Sequence, residues 1–221
     1  MDICALIMAR GGSKRVTDKN IRQFGNDSSN NLLKHKIECL KQVDGLDAIY
    51  VNSESKKILT LAEGYGAVPI ERDSKYATDD ISINEVYKNL AESVEHEHIY
   101  FAHITSPLVS LHNMQMSLNM YEDYVFNNDY DSLATCTKVH KFMWSDKNTP
   151  INYDPAQMPR SQDLPDYYVL NFAINILPRE LMIQKKNIIG DKFMPYWLDE
   201  LESFDIDNEQ EFKMAEYLYG R

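Results

Sequence analysis

Apolar residues fall into two rhythms along this chain. Short continuous runs have the length of strands, and longer segments repeat their apolar positions every three or four residues, as one face of a helix does. Ile3 to Ala9 is a continuous apolar run, the pattern of a strand buried on both faces of a sheet. The spacing then predicts a helix over Leu32 to Lys41 and a strand over Ala48 to Asn52. A helix over Ser55 to Tyr65 ends at Gly66, a residue suited to a left-handed C-cap. Ser82 to Ser93 again has helical spacing, His98 to Ile104 reads as a strand and His112 to Tyr124 as a helix. Within the last of these, Met114, Met116, Leu118 and Met120 read as core packing and not as a cofactor contact. Ser132 to Val139 alternates like a strand, Tyr167 to Leu177 is a second apolar run, and Glu209 to Tyr219 is a closing helix.

Strands alternating with helices in this order predict an α/β, Rossmann-like fold with a mostly parallel sheet flanked by helices. At 221 residues, with no internal repeat or low-complexity linker, the chain is expected to be a single domain over residues 1–221. A polar, proline-containing stretch at about 142–165 breaks the pattern and is expected to be an excursion from the sheet. No apolar run is long enough to cross a bilayer. Met1-Asp2 precedes the first apolar run without a basic segment, so that run reads as a strand and not an export signal. Cys4, Cys39 and Cys136 have no C-x-x-C spacing and an odd number, which argues against a disulfide framework. A cytoplasmic protein is expected.

A formal net charge of −11 argues against nucleic acid as the main partner. The distribution of charge says more. Arg10, Lys14, Arg15, Lys19 and Arg22 crowd into one short stretch with Asp18 as the single acid among them. Such a local positive site suits a small polyanion. The stretch Arg10-Gly11-Gly12-Ser13-Lys14-Arg15 directly follows the first strand, where parallel sheets bind their ligands. Glycines let backbone N–H groups approach a phosphate, and the cations supply compensating charge. Neither the P-loop pattern nor G-x-G-x-x-G is present, which disfavours a Walker-type or dinucleotide site. A tight turn with solvated lysines is the structural alternative.

Ala9-Arg10-Gly11-Gly12-Ser13-Lys14 followed by Lys19-Asn20 resembles the opening signature of the acylneuraminate cytidylyltransferases, the CMP-sialic acid synthetases and their relatives. The resemblance continues in order. Arg72, then Ala77-Thr78-Asp79 and Ser82, is similar to the family's R-P-x-x-L-A-x-D segment. Thr105-Ser106-Pro107-Leu108 matches P-T-S-P-L, and Gln162-Asp163-Leu164-Pro165 with Asn171 matches R-Q-D-L-P and N-G-A-I-Y. Asp205-Ile206-Asp207 matches the final D-I-D.

The resemblance implies transfer of CMP from CTP to a small acidic acceptor, with Mg²⁺ as cofactor and pyrophosphate as leaving group. It implies nucleotide binding by Arg10, Gly11, Gly12, Ser13, Lys14, Lys19, Asn20, Arg72 and Ser82. Catalysis would depend on Arg10, Lys19 and Asp207, and the metal would sit on Asp205 and Asp207. On an extended segment, residues i and i+2 share a face, so both carboxylates can reach one ion. The acceptor would meet His103, Thr105, Ser106, Gln162, Asn171 and Asn175. A homodimer is also implied, with the excursion reaching toward the partner's active site.

The departures from the family pattern cluster in the acceptor half. His103 stands where the family has Gln, Ile104 where it has Pro, and Val109 where it has Arg. Phe172 and Asn175 replace Gly and Tyr, and Ser161 replaces an Arg, although Arg160 lies one position earlier. The expected acceptor is therefore an acidic sugar of the nonulosonic or 3-deoxy class. A phosphonate acceptor, or a CTP-binding paralogue without turnover, is the alternative, and the retained Lys19, Asp205 and Asp207 argue against the latter. His103 reads either as an acceptor contact or base, or as a satisfied half-buried histidine. His96 and His98 read as a polar loop and not a metal site. Asp79-Asp80 either supports the nucleotide pocket or caps the following helix.

Overall fold

A computed structural model describes residues 1–12, 15–125, 127 and 129–220. Seven strands form one sheet: β1 (Ile3–Met8), β2 (Ala48–Ser53), β3 (Val68–Glu71), β4 (His98–Ala102), β5 (Ser132–Val139), β6 (Tyr167–Pro178) and β7 (Phe193–Trp197), in the order β3-β2-β1-β4-β6-β5-β7. The helices are α1 (Leu32–Leu40), α2 (Lys56–Gly64), α3 (Ile83–Glu92), α4 (Leu111–Val125), α5 (Arg179–Lys185) and α6 (Glu209–Tyr219). β1 runs parallel to β2 and β4, β2 to β3, and β5 to β7. β6 is the reversed strand, antiparallel to both β4 and β5. It reverses because it returns along β5 after the excursion, which carries two short 3-10 turns at Pro155–Gln157 and Ser161–Asp163.

β1 lies at the centre, and its alternation divides the core. Ile3, Ala5 and Ile7 pack on one face with Leu32, Leu33 and Ile37 of α1, Ile58 of α2, Met114 and Leu118 of α4, and Phe212 of α6. Cys4 and Leu6 pack on the other with Val86 and Leu90 of α3 and Met182 of α5. A strand with helices on both faces has no polar side, and this explains its unbroken apolar sequence. Met114 and Leu118 are buried, with Met116 and Met120 packed partly against them, as methionines filling a core.

Helix ends follow their chemistry. Asn31 caps α1 by accepting from Lys34 N at 2.9 Å, and Asn208 with Glu211 forms a reciprocal capping box on α6. Gly66 has φ +82°, the left-handed residue past the end of α2, where a side chain would be strained. The sheet edges are β3 and β7, and each contains a proline, Pro69 and Pro195, which sheets tolerate at edges. No described helix is long and apolar enough to cross a membrane.

Candidate active site

The chain leaves β1 toward β2 on one side, while β4 lies on the other. Beyond the carboxyl ends of β1 and β4 the connections part, and an open parallel sheet forms its ligand crevice at such a point. A cleft of about 570 Å³ lies there. Met8, Arg10 and Gly12 line it from the loop after β1, and Phe101 to Thr105 from the end of β4. Arg15, Lys19, Asn20 and Asp79 complete the walls.

The cations expected to act together divide. Arg10, Arg15 and Lys19 face the cleft. Arg22 does not: it forms a two-point ion pair with Glu209 and its guanidinium stacks 3.6 Å from the Phe212 ring, fastening the early loop to α6. Ser13 and Lys14, both expected at the phosphates, lie outside the described residues. Arg10 Nη1 pairs with Asp79 at 3.1 Å, so Asp79 belongs to the cleft. The helix after Asp79-Asp80 is capped instead by Ser82, whose hydroxyl accepts from Glu85 N. Ser82, expected at the nucleotide, is thereby a capping residue.

Gly11 has a structural partner too. Its N–H donates to Glu54 Oε1 at 2.7 Å and is already committed to a carboxylate. A Cβ on Gly11 would stand 2.8 Å from Ser55 Cβ, so the glycine serves close packing against the end of β2. A Cβ on Gly12 would meet nothing within 4 Å, and its backbone opens into the cleft. Glu54 also takes Arg72 Nη2 at 2.6 Å. Burial by itself would raise the Glu54 pKa, but the hydrogen bonds from Arg72 and Gly11 bring it below the ordinary value. Arg72 is 3% exposed, its Nε has no partner, and it lines a side recess of about 300 Å³ that shares Met8, Arg10 and Asp79 with the main cleft. Asn20 Nδ2 holds Arg10 O at 3.0 Å while its buried Oδ1 has no partner. Sequence reading missed Glu54. Its position at the carboxyl end of β2, beside β1, was the available signal.

The segment carrying the two aspartates is tied to the cleft cations Lys19 and Arg15. Lys19 Nζ donates to Ile206 O at 2.6 Å, Ile206 N donates to Thr105 O at 3.0 Å, and Arg15 pairs with Asp207 at 2.8 Å. Burial raises the Asp205 pKa; a hydrogen bond from Thr105 opposes this, and the Asp207 charge adds to it. Burial lowers the Lys19 pKa, and the charges of Asp205 and Asp207 resist that shift.

The Thr105–Ser106–Pro107 turn is held from beneath by α1. Lys36 Nζ donates to Ser106 O at 2.8 Å, and His35 Nε2 meets Pro107 O at 2.8 Å. Thr105 lines the cleft, whereas Ser106 is buried with an unpartnered Oγ and faces the interior, against expectation. His103 lines the cleft, with Nε2 buried and unpartnered. Burial, then the nearby Lys36 charge, holds its imidazole at about 4. Both causes favour the neutral ring over the charged one.

The remaining acceptor expectations separate from the cleft. Asn171 lines a different recess of about 400 Å³, together with Lys138, Lys141 and Asp205, and its amide bonds Thr135 and Thr137. Asn175 is buried and donates to Phe172 O at 3.2 Å. Gln162 is exposed on the excursion, and Arg160 there pairs with Asp163. His96 and His98 take different partners: His96 meets Asp2 and Tyr50, and His98 meets Tyr121.

Known proteins resemble the chain over most of its length. A family model described as "Cytidylyltransferase" matches residues 4–165, most of the chain. The chain is 26% identical over 229 residues to "Post-translational flagellin modification protein B" of Campylobacter coli, covering 98% of this chain and 94% of that one. It is 27% identical over 225 residues to "CMP-N,N'-diacetyllegionaminic acid synthase" of Campylobacter jejuni, covering 98% and 94%. Among solved structures it is similar, with a TM-score of 0.72 at 13% identity and 99% and 98% coverage, to a CMP:2-keto-3-deoxy-manno-octonic acid synthetase complexed with CTP. The last likeness is one of fold.

Proposed function

The chain belongs to the cytidylyltransferase family, and from that premise we propose that it transfers CMP from CTP to an acidic sugar of the nonulosonic or 3-deoxy class. One observation carries the reading. Arg15 and Lys19, which line the main cleft, also hold the segment that carries the carboxylate pair: Lys19 contacts Ile206 and Arg15 pairs with Asp207, while Asp205 faces the neighbouring recess.

A hydroxyl oxygen of the acceptor attacks the α-phosphorus of CTP. The new P–O bond forms as the bond to the pyrophosphate oxygen breaks, and the hydroxyl proton passes to solvent or a nearby base. Such a displacement needs positioning and charge neutralisation more than a protein nucleophile. Arg10, Arg15 and Lys19 face the polyphosphate in this reading, and the open Gly12 backbone lets it approach. The recess beside Arg72 takes the base and ribose. Its buried, unpartnered Nε supports this, because a buried donor without an acceptor is costly unless a ligand supplies one.

Asp205 and Asp207 fit a divalent cation by their chemistry. Both offer oxygen donors, and the pKa of Asp205 is raised by burial and by its neighbour's charge, a strain that a cation between them relieves. Mg²⁺ held there would neutralise charge on the phosphate oxygens. The excursion and the exposed Tyr167 and Tyr168 beside it support a homodimer in which this arm extends toward the partner's cleft. Three free thiols, Cys4, Cys39 and Cys136, support a reducing, cytoplasmic setting.

Pyrophosphate release tests the proposal with each of four nucleoside triphosphates against N-acetylneuraminate, N,N'-diacetyllegionaminic acid, 2-keto-3-deoxy-manno-octonic acid and a phosphonate. Turnover with CTP and an acid sugar alone is the expected result. CTP binding without release from any acceptor would overturn it in favour of an inactive paralogue.

A further inference from the structure

Phe172 has φ +57°, in the left-handed region. Asp18, Asn148 and Lys186 share that region among described non-glycine residues. Asp and Asn tolerate it through local hydrogen bonds of their short side chains, and Lys186 ends α5, where a left-handed residue is a common stop. A phenylalanine has neither excuse.

What imposes the conformation is visible in the sheet. Ala134 pairs with Asn175 and Cys136 with Leu170, so residues 171–174 of β6 bulge opposite the single Thr135 of β5. The bulge is closed from within. Thr135 Oγ1 donates to Asn171 Oδ1 at 2.5 Å and accepts from Ile174 N at 3.0 Å, and Ala173 N donates to Asn171 Oδ1 at 3.1 Å. On the β4 side it presents Ala173 O to His103 N at 3.0 Å. These bonds set the backbone at position 172, and glycine would fill it without strain. The chain instead places an aromatic ring there, 37% exposed, with its centroid 6.5 Å from that of His103. His103 in turn lies edge-on to Phe101 at 5.1 Å, and both line the cleft. Strain retained in a residue whose ring abuts a cleft-lining side chain, His103, marks a side chain kept for what it touches.

We propose that Phe172 determines acceptor specificity: with Phe101 and His103 it makes an aromatic wall that selects acid sugars bearing acylamino methyl groups over sugars hydroxylated throughout. The proposal rests on the cytidylyltransferase reading of the cleft. Ring faces gain from C–H and methyl contacts, whereas a hydroxyl brought against them loses water without gaining a partner.

The test measures kcat/KM by pyrophosphate release for N,N'-diacetyllegionaminic acid and 2-keto-3-deoxy-manno-octonic acid, in wild type, Phe172→Gly and Phe172→Tyr. The wild type is expected to favour the diacetylated acid. Phe172→Gly should lower that preference roughly three- to tenfold, the range of one aromatic contact, through KM for the acylated acceptor with KM for CTP unmoved. Its Tm should hold or rise, because glycine is at ease at this φ. Phe172→Tyr should retain the wild-type preference. If the wild type turns over and Phe172→Gly leaves the preference unchanged, Phe172 has no such role and the cytidylyltransferase reading stands. A lower Tm for Phe172→Gly would overturn the strain argument and assign the ring to packing. If the wild type releases pyrophosphate from neither acid nor from N-acetylneuraminate, the underlying reading fails and takes this inference with it.

Discussion

Lys36 places an ammonium on the one face of α1 that should be wholly apolar. Leu32, Leu33, Ile37 and Leu40 share that buried face, Lys36 itself is 0% exposed, and no ion pair with a carboxylate is found for it among the described residues. Burial pushes it down to about 8 from an ordinary 10.5, a difference worth on the order of 3 kcal/mol. A base whose folded value is depressed disfavours the fold while it is protonated, and the cost fades as pH rises from the folded value to the unfolded one. Relative to wild type, Lys36→Met should therefore be most stabilised below about pH 8, and the gain should disappear by about pH 10.5. Thermal melts of both proteins across that range check it; a pH-independent difference would show that the ammonium carries no such cost. Single-residue roles were legible unevenly. Ser82 followed by Glu85 has capping-box spacing, and so its family-like place near the nucleotide could equally be read as a helix start. Gly11 looked like a phosphate glycine because its contact with Ser55, 44 residues on, is invisible in local sequence. Phe172 was conspicuous as a replacement for glycine, but only its φ reveals what the replacement costs.

At the scale of elements, the Phe204 to Asp207 segment runs without helix or strand between β7 and α6, and its backbone does as much as its side chains. Ile206 N and O are taken by Thr105 and Lys19, which fixes where the flanking carboxylates stand. Asp207 is itself exposed, and its bond to Arg15 is a surface pair of the kind worth about 0–1 kcal/mol. Asp207→Ala should therefore leave the Tm within a few degrees of wild type while abolishing CTP turnover with Mg²⁺. Normal turnover by this variant would remove the aspartate from the metal site. Elements buried on two faces or with strong periodicity were plain in the sequence: β1, β5 and α6 lie where the pattern put them. β3, β7 and α5 escaped notice for physical reasons. The two strands are short edges interrupted by Pro69 and Pro195, and α5 is two turns long with Met182 as its buried residue. Packing partners, not local pattern, decide such pieces.

The whole molecule leaves one end of its sheet uncovered. Tyr167, Tyr168 and Val169 at the start of β6, Trp197 on β7, and Trp144, Ile151 and Met158 on the excursion are all exposed. Tyr168 and Trp197 touch at 5.4 Å, so part of this surface is continuous. Exposed aromatic surface of this kind is what a second copy of the chain would cover in a dimer. In sedimentation the wild type should run at twice the chain mass, and Tyr168→Glu should run as a monomer with native circular dichroism; an active wild-type monomer would defeat the dimer. Arg10, Lys19 and Thr105, named from separate motifs, do line one cleft, but where Gln162 stands was not legible, since an excursion's direction depends on what it docks against. The clasp between Lys19 and Ile206 also bears on synthesis. A ribosome delivers the cations well before the opposing carboxylates. A chain cut off before that segment can therefore hold every strand of the sheet while lacking both carboxylates. Premature termination just before Phe204 would remove both carboxylates and should leave a chain that is chemically silent.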